Sequence, residues 1–497
     1  MTAYRFFEIL PGSLAWLTIV LMFLLSWRLP EAVAIFIILF DIYWLLKTAY
    51  LSLHLRSAFS LMKKNMSVGW LSKLEKEKSD SWKDIYHLVV LPTYREPHVV
   101  LRESFESLKA ANYPKDRMIV VLAIEERAGG DGRVVAKKIK DEYGLLFSSL
   151  LLTTHPSGLP GEIPGKGSNE TWATKQAVRE VIDAQGIDHR NVIVSVFDVD
   201  TQVPSEYFGR LTHLFLTTSN PLRAIYQPIP LFVNNIYDAP ALARVVSFSA
   251  SFWQMMQQAR PERLTTFSSQ SIPLQVLIDI GYWHTNVVSE DSRTFWQGYL
   301  RYHGDFRAEP LNFPVYMDAN AAPTFWGTMK NLYKQQRRWA WGAENTPYLI
   351  DGMRKDPKIS KSKKWYWILN DLEGRHSWAT GSLLIFALGW LPIALGGRDF
   401  NYTLLSYSLP QITRFIISLS MIGIASSAIL SVLLLPPRPK WFSGAHSFLY
   451  LIQWILLPIT LIVLGCFPAL DAQTRLMFGG KWRLGFWVTP KSRKYFP

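Results

Sequence analysis

Apolar residues are unevenly spread along this chain. Two runs open it, Leu14–Trp27 ("LAWLTIVLMFLLSW", extended by Leu10 and Pro11) and Ala32–Leu53, joined by a turn so short that the two form a helical hairpin. The first run resembles a secretory signal only superficially, because no small-residue cleavage site follows and a second run comes at once. Apolar runs return at Ser377–Leu395, Ile412–Leu435 and Phe448–Phe467, the last interrupted by Pro458. The pattern predicts four full membrane crossings, with the fifth run a re-entrant or interfacial hairpin that suits its mid-run proline. Asp41 sits inside the second run, where an ionisable group either lines a polar path or hydrogen-bonds to another helix.

Between these runs the periodicity changes. Short apolar stretches at 87–92 ("HLVVLP"), 118–124 ("MIVVLAI") and 191–197 ("NVIVSVF") alternate with helical patterns, which predicts an α/β domain with a mostly parallel sheet. Each stretch ends in polar or acidic residues: "TYREP", Glu125-Glu126 and "DVDT". Polar groups beyond strand C-termini mark the ligand crevice of such sheets. Residues 239–266 and 325–350 read as interfacial helices. The domain organisation expected is a transmembrane hairpin at 1–56 and a catalytic domain at 57–375. C-terminal transmembrane helices with a re-entrant segment follow at 376–470, and a basic tail at 471–497.

Charge orients this arrangement. Arg56, Lys63, Lys64, Lys73, Lys76 and Lys78 follow the hairpin and place the central domain in the cytoplasm. Arg438 and Lys440 bring the chain back to that side, and a re-entrant fifth run keeps the tail (Arg475, Lys481, Arg483, Lys491, Arg493, Lys494) there too. The location expected is therefore the cell membrane, multi-pass. A net charge of +14 suits nucleic acid, anionic lipid or a phosphate-bearing substrate. Juxtamembrane lysines and arginines account for much of it, and a nucleic-acid binder has no need of ordered carboxylates, so membrane lipid is an expected partner and nucleic acid is not. The lone Cys466 excludes an internal disulfide and a Cys-based zinc site.

Three stretches carry candidate chemistry. In "DVDT" Asp198 and Asp200 flank Val199, and in an extended segment they point the same way, making a hard-oxygen site for Mg2+ or Mn2+. The alternative is a solvated acidic turn. "LPGEIPGKGSNETWA" (159–173) fails the phosphate-loop pattern at Pro160 and Gly167, yet a glycine-flanked Lys166 lets amides and an ammonium approach a phosphate, and Asn169 starts a helix; a plain surface loop is the alternative. "SEDSRTFWQGYLRYHG" (289–304) puts Glu290 and Asp291 at a helix head, as dipole-favoured caps or as a general base.

With "PTYREP" (92–97), Glu125-Glu126, "GKGSN" (165–169), "DVD" (198–200), "SED" (289–291) and the Q-x-x-R-W of "YKQQRRWAWG" (333–342) in this order, residues 80 to 345 resemble the membrane-embedded family 2 glycosyltransferases, which include cellulose, chitin and hyaluronan synthases. The resemblance implies a GT-A-type, Rossmann-like domain inserted between transmembrane helices. It implies an inverting hexosyltransferase moving a sugar from a nucleotide-sugar donor, a UDP-sugar favoured, to a growing polysaccharide or glycan at the cytoplasmic face, with export coupled to synthesis. The alternative is transfer of one sugar to a lipid carrier or glycolipid. By resemblance, Pro92, Tyr94, Glu96, Glu125, Glu126, Lys166, Asn169, Asp198, Gln335 and Arg338 bind the donor, Asp198 and Asp200 hold the metal, Asp291 with Glu290 performs catalysis, and Trp339 stacks on the acceptor. Residues 267–270 ("FSSQ") are expected to line the acceptor site. Arg95 and the glutamates at 125–126 depart from the family's usual Asn or Asp, which leaves the base contact open between Glu125 and Glu126. A snorkelling interfacial helix would explain Arg337 and Trp341 equally well, though not the Q-x-x-R-W spacing.

Overall fold

The run "HLVVL" shows why the centre of the protein is a sheet covered on both faces. Leu88 and Val90 pack with Val121 and Val194 on one side, while Val89 and Leu91 pack with Phe105 and Leu122 on the other. The period of two is that of a strand, and the unbroken apolar run is that of a strand buried on both faces. The computed structural model describes residues 2–77 and 80–490. Lys78 of the first basic stretch and Lys491, Arg493 and Lys494 of the tail lie outside them.

Seven strands form one mixed sheet: β1 (Tyr86–Thr93), β2 (Met118–Glu125), β3 (Ser149–His155), β4 (Val192–Val196), β5 (Ala224–Phe232), β6 (Ser271–Pro273) and β7 (Arg307–Met317), in the order β3-β2-β1-β4-β6-β5-β7. Every pairing is parallel except those of β6, which runs against both β4 and β5. The three strands expected from the sequence are β1, β2 and β4, adjacent in the sheet. From β1 the chain moves outward to β2 and β3, then returns to β4 on the other side of β1. That reversal opens a crevice at the C-terminal ends of β1 and β4.

Helices α1 (Ala3–Arg28), α2 (Pro30–Met66), α3 (Lys166–Ala177), α4 (Ala241–Gln258), α5 (Glu290–Arg301), α6 (Phe325–Ala340), α7 (Lys361–Phe386), α8 (Leu404–Leu433) and α9 (Gly444–Phe478) build the crevice and the apolar bundle beside it. Four of them, α1, α2, α8 and α9, are long and apolar enough to cross a membrane. Joined to Leu388–Leu395 across a 49° bend, α7 makes a fifth candidate. The sharp break therefore falls in the third apolar run and not the fifth. In α9 a tight turn at Gln453–Leu456 precedes Pro458 and a wide turn at Ile462–Cys466 precedes Pro468, so each proline enters where a new helical stretch begins. In the third run Ala387 leaves the helical region (φ −124°, ψ −53°), and Gly389 and Pro392 follow.

With 37 residues α2 measures about 55 Å, well beyond the ~30 Å of a bilayer's hydrocarbon core. Its second half leaves the apolar bundle and docks on the sheet. Leu55, Ala58 and Met62 pack with Ile229, Leu231 and Phe248, and Asn65 Nδ2 donates to the Asn312 carbonyl at 2.9 Å.

His87 is the one polar side chain inside the β1 run. It is fully buried, 2.8 Å from Thr212 Oγ1 and edge-on to Tyr113. Burial pulls its imidazole down to about 3. The unfolded chain thus binds the extra proton between the ordinary histidine range and pH 3, so stability rises with pH through that window and is fully present above it. Melting temperature in detergent should fall as pH drops from 7 to 4.5, this group removing up to about 1.4 kcal/mol of stability per pH unit. In His87→Leu the slope should be shallower; an unchanged slope would assign the acid sensitivity elsewhere.

Candidate functional site

Lys166 is the hub of the crevice. Its ammonium lies 2.9 Å and 3.1 Å from the two Asp291 carboxylate oxygens, 3.0 Å from Asp198 and 3.4 Å from Glu170. Burial alone would pull the ammonium down, but Asp198, Asp291 and Glu170 outweigh it and hold Lys166 well above the usual lysine range. Glu170 is fully buried, and burial pushes its carboxyl well up. Burial, reinforced by Asp291, likewise raises Glu290 to about 8. Glu170, Glu290 and Asp291 each place a carboxylate oxygen within 4.8 Å of the others. Among the described residues this group of three carboxylates does not include the D-x-D pair.

The glycines flanking Lys166 explain the local sequence. A Cβ on Gly165 would lie 2.6 Å from Phe486 Cγ, and one on Gly167 would lie 3.0 Å from Glu290 Cβ. At Gly167 the His284 carbonyl oxygen would be closer still, at 2.9 Å, so both positions require glycine. The helix begins at Lys166, three residues before the expected start, and Asn169 lies in its first turn. Asn169 Nδ2 donates to the Ala123 carbonyl at 2.8 Å, which ties α3 to β2 and turns the side chain away from the crevice.

The D-x-D segment is a turn closed by the Thr201 N–H donating to the Asp198 carbonyl (2.8 Å). The strand alternation expected for it does not apply. Both carboxylates nevertheless line the crevice: Asp198 is partly exposed, while Asp200 is buried and accepts from the Asp318 N–H at 2.9 Å. After β1, Glu96 closes its own turn by accepting from Thr93 Oγ1 (2.9 Å) and the Tyr94 N–H (2.7 Å). Glu125 faces the crevice paired with Arg127, whereas Glu126 points out and accepts from the Ser157 N–H at 2.8 Å.

These side chains border one cavity of about 900 Å³. Pro92, Tyr94, Glu96, Glu125, Lys166, Asp198, Asp200, Asp291, Gln335, Arg338 and Trp339 line it; Glu126, Asn169 and Glu290 do not. Trp339 stands between Phe232 and Phe267, ring centres 5.7 and 5.6 Å away. Of "FSSQ", Phe267 and Ser268 reach the lining. The cavity continues between α2, α7, α8 and α9, past Asp41, Trp44, Phe386, Ile416 and Leu461. A face of α4 (Val246, Ser249, Ala250, Trp253, Gln254, Gln257) forms one wall along the way.

Arg337 and Trp341 are not snorkelling residues. Arg337 pairs with Asp471 of α9 at 2.8 Å, and Trp341 is 1% exposed in a core with Ala15, Val288 and Ala469. Two further features of the site are not expected from the sequence. Phe486, Trp487, Val488 and Thr489 enter the cavity, with the Arg338 guanidinium 5.1 Å from the Phe486 ring centre and the Lys334 ammonium 5.2 Å from that of Trp487. The only signal for it in the sequence is that the basic tail also carries aromatic residues, Phe486 and Trp487 among them. The other feature is Glu344, whose Oε1 accepts from the Val288 N–H (2.9 Å), the Ser289 N–H (2.8 Å) and the Ser289 hydroxyl (2.7 Å), while Oε2 accepts from Trp341 Nε1 (3.0 Å). One buried carboxylate thus fastens the segment after Q-x-x-R-W to the residues just before Glu290 and Asp291.

Neither a protein-family model nor a curated protein matches the chain. Among solved structures it is similar to a mannosyltransferase from Pyrobaculum calidifontis in complex with GDP-Man and Mn2+ (16% identity, 87% of this chain and 99% of that one, TM-score 0.40). It is also similar to S. aureus TarS in complex with UDP-GlcNAc (13% identity, 80% of this chain and 93% of that one, TM-score 0.38).

Glu344→Ala strands the Val288 and Ser289 amides, the Ser289 hydroxyl and the Trp341 indole N–H. At roughly 1–3 kcal/mol for each buried group left unpaired, the loss should exceed about 3 kcal/mol in a melt of the detergent-solubilised chain. Glu344→Gln retains an acceptor oxygen and should recover part of it.

Proposed function

We propose that this chain is a glycosyltransferase that moves a sugar from a nucleotide-sugar donor to an acceptor held in the cavity, with inversion at the anomeric carbon. The observation that carries the reading is the convergence on one cavity of Asp291, Asp198, Lys166, Gln335, Arg338 and Trp339, drawn from separate segments of the chain. Asp291 accepts the proton of the acceptor hydroxyl as that oxygen bonds to the anomeric carbon and the bond to the nucleoside diphosphate breaks on the opposite face. Arg338 and Gln335 bind the departing diphosphate, a guanidinium matching phosphate oxygens bidentately. Trp339, braced by Phe232 and Phe267, offers its indole face to the acceptor sugar. Pro92, Tyr94, Glu96 and Glu125 form the donor's nucleoside end; Glu125 takes that role over Glu126 because it alone faces the cavity. Glu290, buried behind Asp291, positions it.

Asp198 and Asp200 suit Mg2+ or Mn2+: both are hard carboxylate donors on the lining, and the Lys166 ammonium at 3.0 Å shows that Asp198 already accommodates a cation. Such an ion supplies neutralisation of charge on the leaving diphosphate. In this reading residues 57–375 form a cytoplasmic GT-A-type domain between the hairpin at 1–56 and the helices at 376–470. The acceptor is a growing glycan, and the continuation of the cavity between apolar helices supports its export. The apolar lining of that continuation favours, as a second reading, an acceptor on a lipid carrier.

Purified membranes incubated with a panel of radiolabelled nucleotide sugars test the reading. One sugar should enter product only with Mg2+ or Mn2+, and EDTA or Asp198→Ala should abolish incorporation; full turnover in EDTA would remove the metal.

Asp291→Asn should retain donor binding while the rate falls about 100- to 10,000-fold. Trp339→Ala removes stacking of the order of 1 kcal/mol and should weaken acceptor use more than donor hydrolysis by water. A near wild-type Asp291→Asn would refute the base.

A further inference from the structure

Between the carboxylate end of the cavity and its apolar end stand two arginines that the proposed reaction does not use. Arg260 and Arg263 both line the cavity and are held close by the Arg263 N–H donating to the Arg260 carbonyl at 2.9 Å. Arg260 is 4% exposed. Its guanidinium hydrogen-bonds the neutral Gln257 and lies 5.9 Å from the Tyr50 ring centre, while its Nε has no hydrogen-bond partner. Among the described residues neither arginine forms an ion pair with a carboxylate. The acids nearby are otherwise placed: Glu373 pairs with Lys47, Asp371 pairs with Arg375, and Glu262 is exposed and off the lining. Burial, with Arg263 adding repulsion, draws Arg260 below the usual arginine range.

A guanidinium removed from water without an anion is costly. Two side by side make a place for an anion that arrives with a ligand. The neighbouring wall identifies the rest of that ligand: Val246, Ala250 and Trp253 of α4 face the cavity together with Ile416, Ile417 and Met421 of α8. We infer that Arg260 and Arg263 bind the phosphate group of a membrane lipid whose hydrocarbon chain lies along this apolar wall. The fork of an arginine matches phosphate oxygens in a bidentate way, and such charge-assisted bonds are about twice as strong as neutral ones. The inference deepens the sugar-transfer reading, because a lipid phosphate here sits in the same cavity as Asp291 and Trp339, yet binding is measurable without turnover.

The full-length chain in neutral detergent is titrated with 11-bromoundecyl phosphate or 11-bromoundecanol, and quenching of tryptophan fluorescence is read; Trp44 and Trp253 line the same cavity. The phosphate is expected to quench at about tenfold lower concentration than the alcohol. Arg260→Gln with Arg263→Gln should erase that preference while melting temperature and UDP or GDP binding stay at wild-type values, and the double Lys variant should keep most of it. If the double Gln variant does not fold, Arg263→Gln alone, at the half-exposed position, should reduce the preference about threefold. Equal affinity for phosphate and alcohol, or a preference that survives in a folded double Gln variant, would overturn the site. A brominated phosphatidic acid that binds with the same arginine dependence identifies a bilayer phospholipid as the source; binding by the single-chain phosphate alone identifies a carrier lipid. Phosphate-dependent binding without transfer of labelled sugar to the lipid sustains the site and counts only against its occupant as acceptor.

Discussion

The arrangement of the crevice depends on one buried ammonium group. Asp198 follows β4 and Asp291 opens α5, so two elements each bring a negative charge to the same few ångströms, and Glu170, one turn along α3, adds a buried carboxyl that burial pushes toward its neutral form. Two like charges 4 Å apart near a protein surface repel by about 4 kcal/mol. Lys166, reaching all three, converts that repulsion into attraction and makes the approach of the elements favourable. The close packing of Gly165 against Phe486 and Gly167 against Glu290 is the steric counterpart of the same arrangement. Charge draws the segments in, and the missing side chains let them arrive.

The cavity changes character along its length. Near the sheet it is bordered by Asp198, Asp200, Asp291 and Glu125; past Thr266 and Phe267 it meets Arg260 and Arg263; between the long helices it is largely apolar. A molecule filling it would meet a metal-favouring end, an anion-favouring middle and a hydrocarbon-favouring end in succession. Small polar ligands satisfy only the first of these environments.

Much of this is legible in the chain itself. The strands β1, β2 and β4 show in runs of Val, Leu and Ile because both sheet faces are covered, and the acidic residues at their ends fall where the strand order reverses. Local geometry is less legible. Asp198 and Asp200 do share a cavity, but through a turn and the fold around it and not through strand alternation. Asn169 has the look of a helix start and ligand, and its amide instead serves the Ala123 carbonyl. Trp341, which its basic neighbours suggest is interfacial, is a core residue because α9 covers it. Glu344 cannot be read as a clamp at all, since Val288 and Ser289 lie 56 and 55 positions away and only folding brings them within 3 Å. Spacing reveals which residues share a face; it does not reveal what a distant helix will cover.

The length of α2 has a consequence of an entropic kind. It passes without interruption from the apolar bundle to the edge of the sheet, where Leu55, Ala58 and Met62 are packed and Asn65 is hydrogen-bonded. A flexible tether of the same number of residues would leave the two parts to search for one another, with an effective concentration set by chain statistics. A single helix removes that search. The mouth of the crevice and the gap between the long helices are held in register before any ligand arrives, so binding need not repay the cost of aligning them.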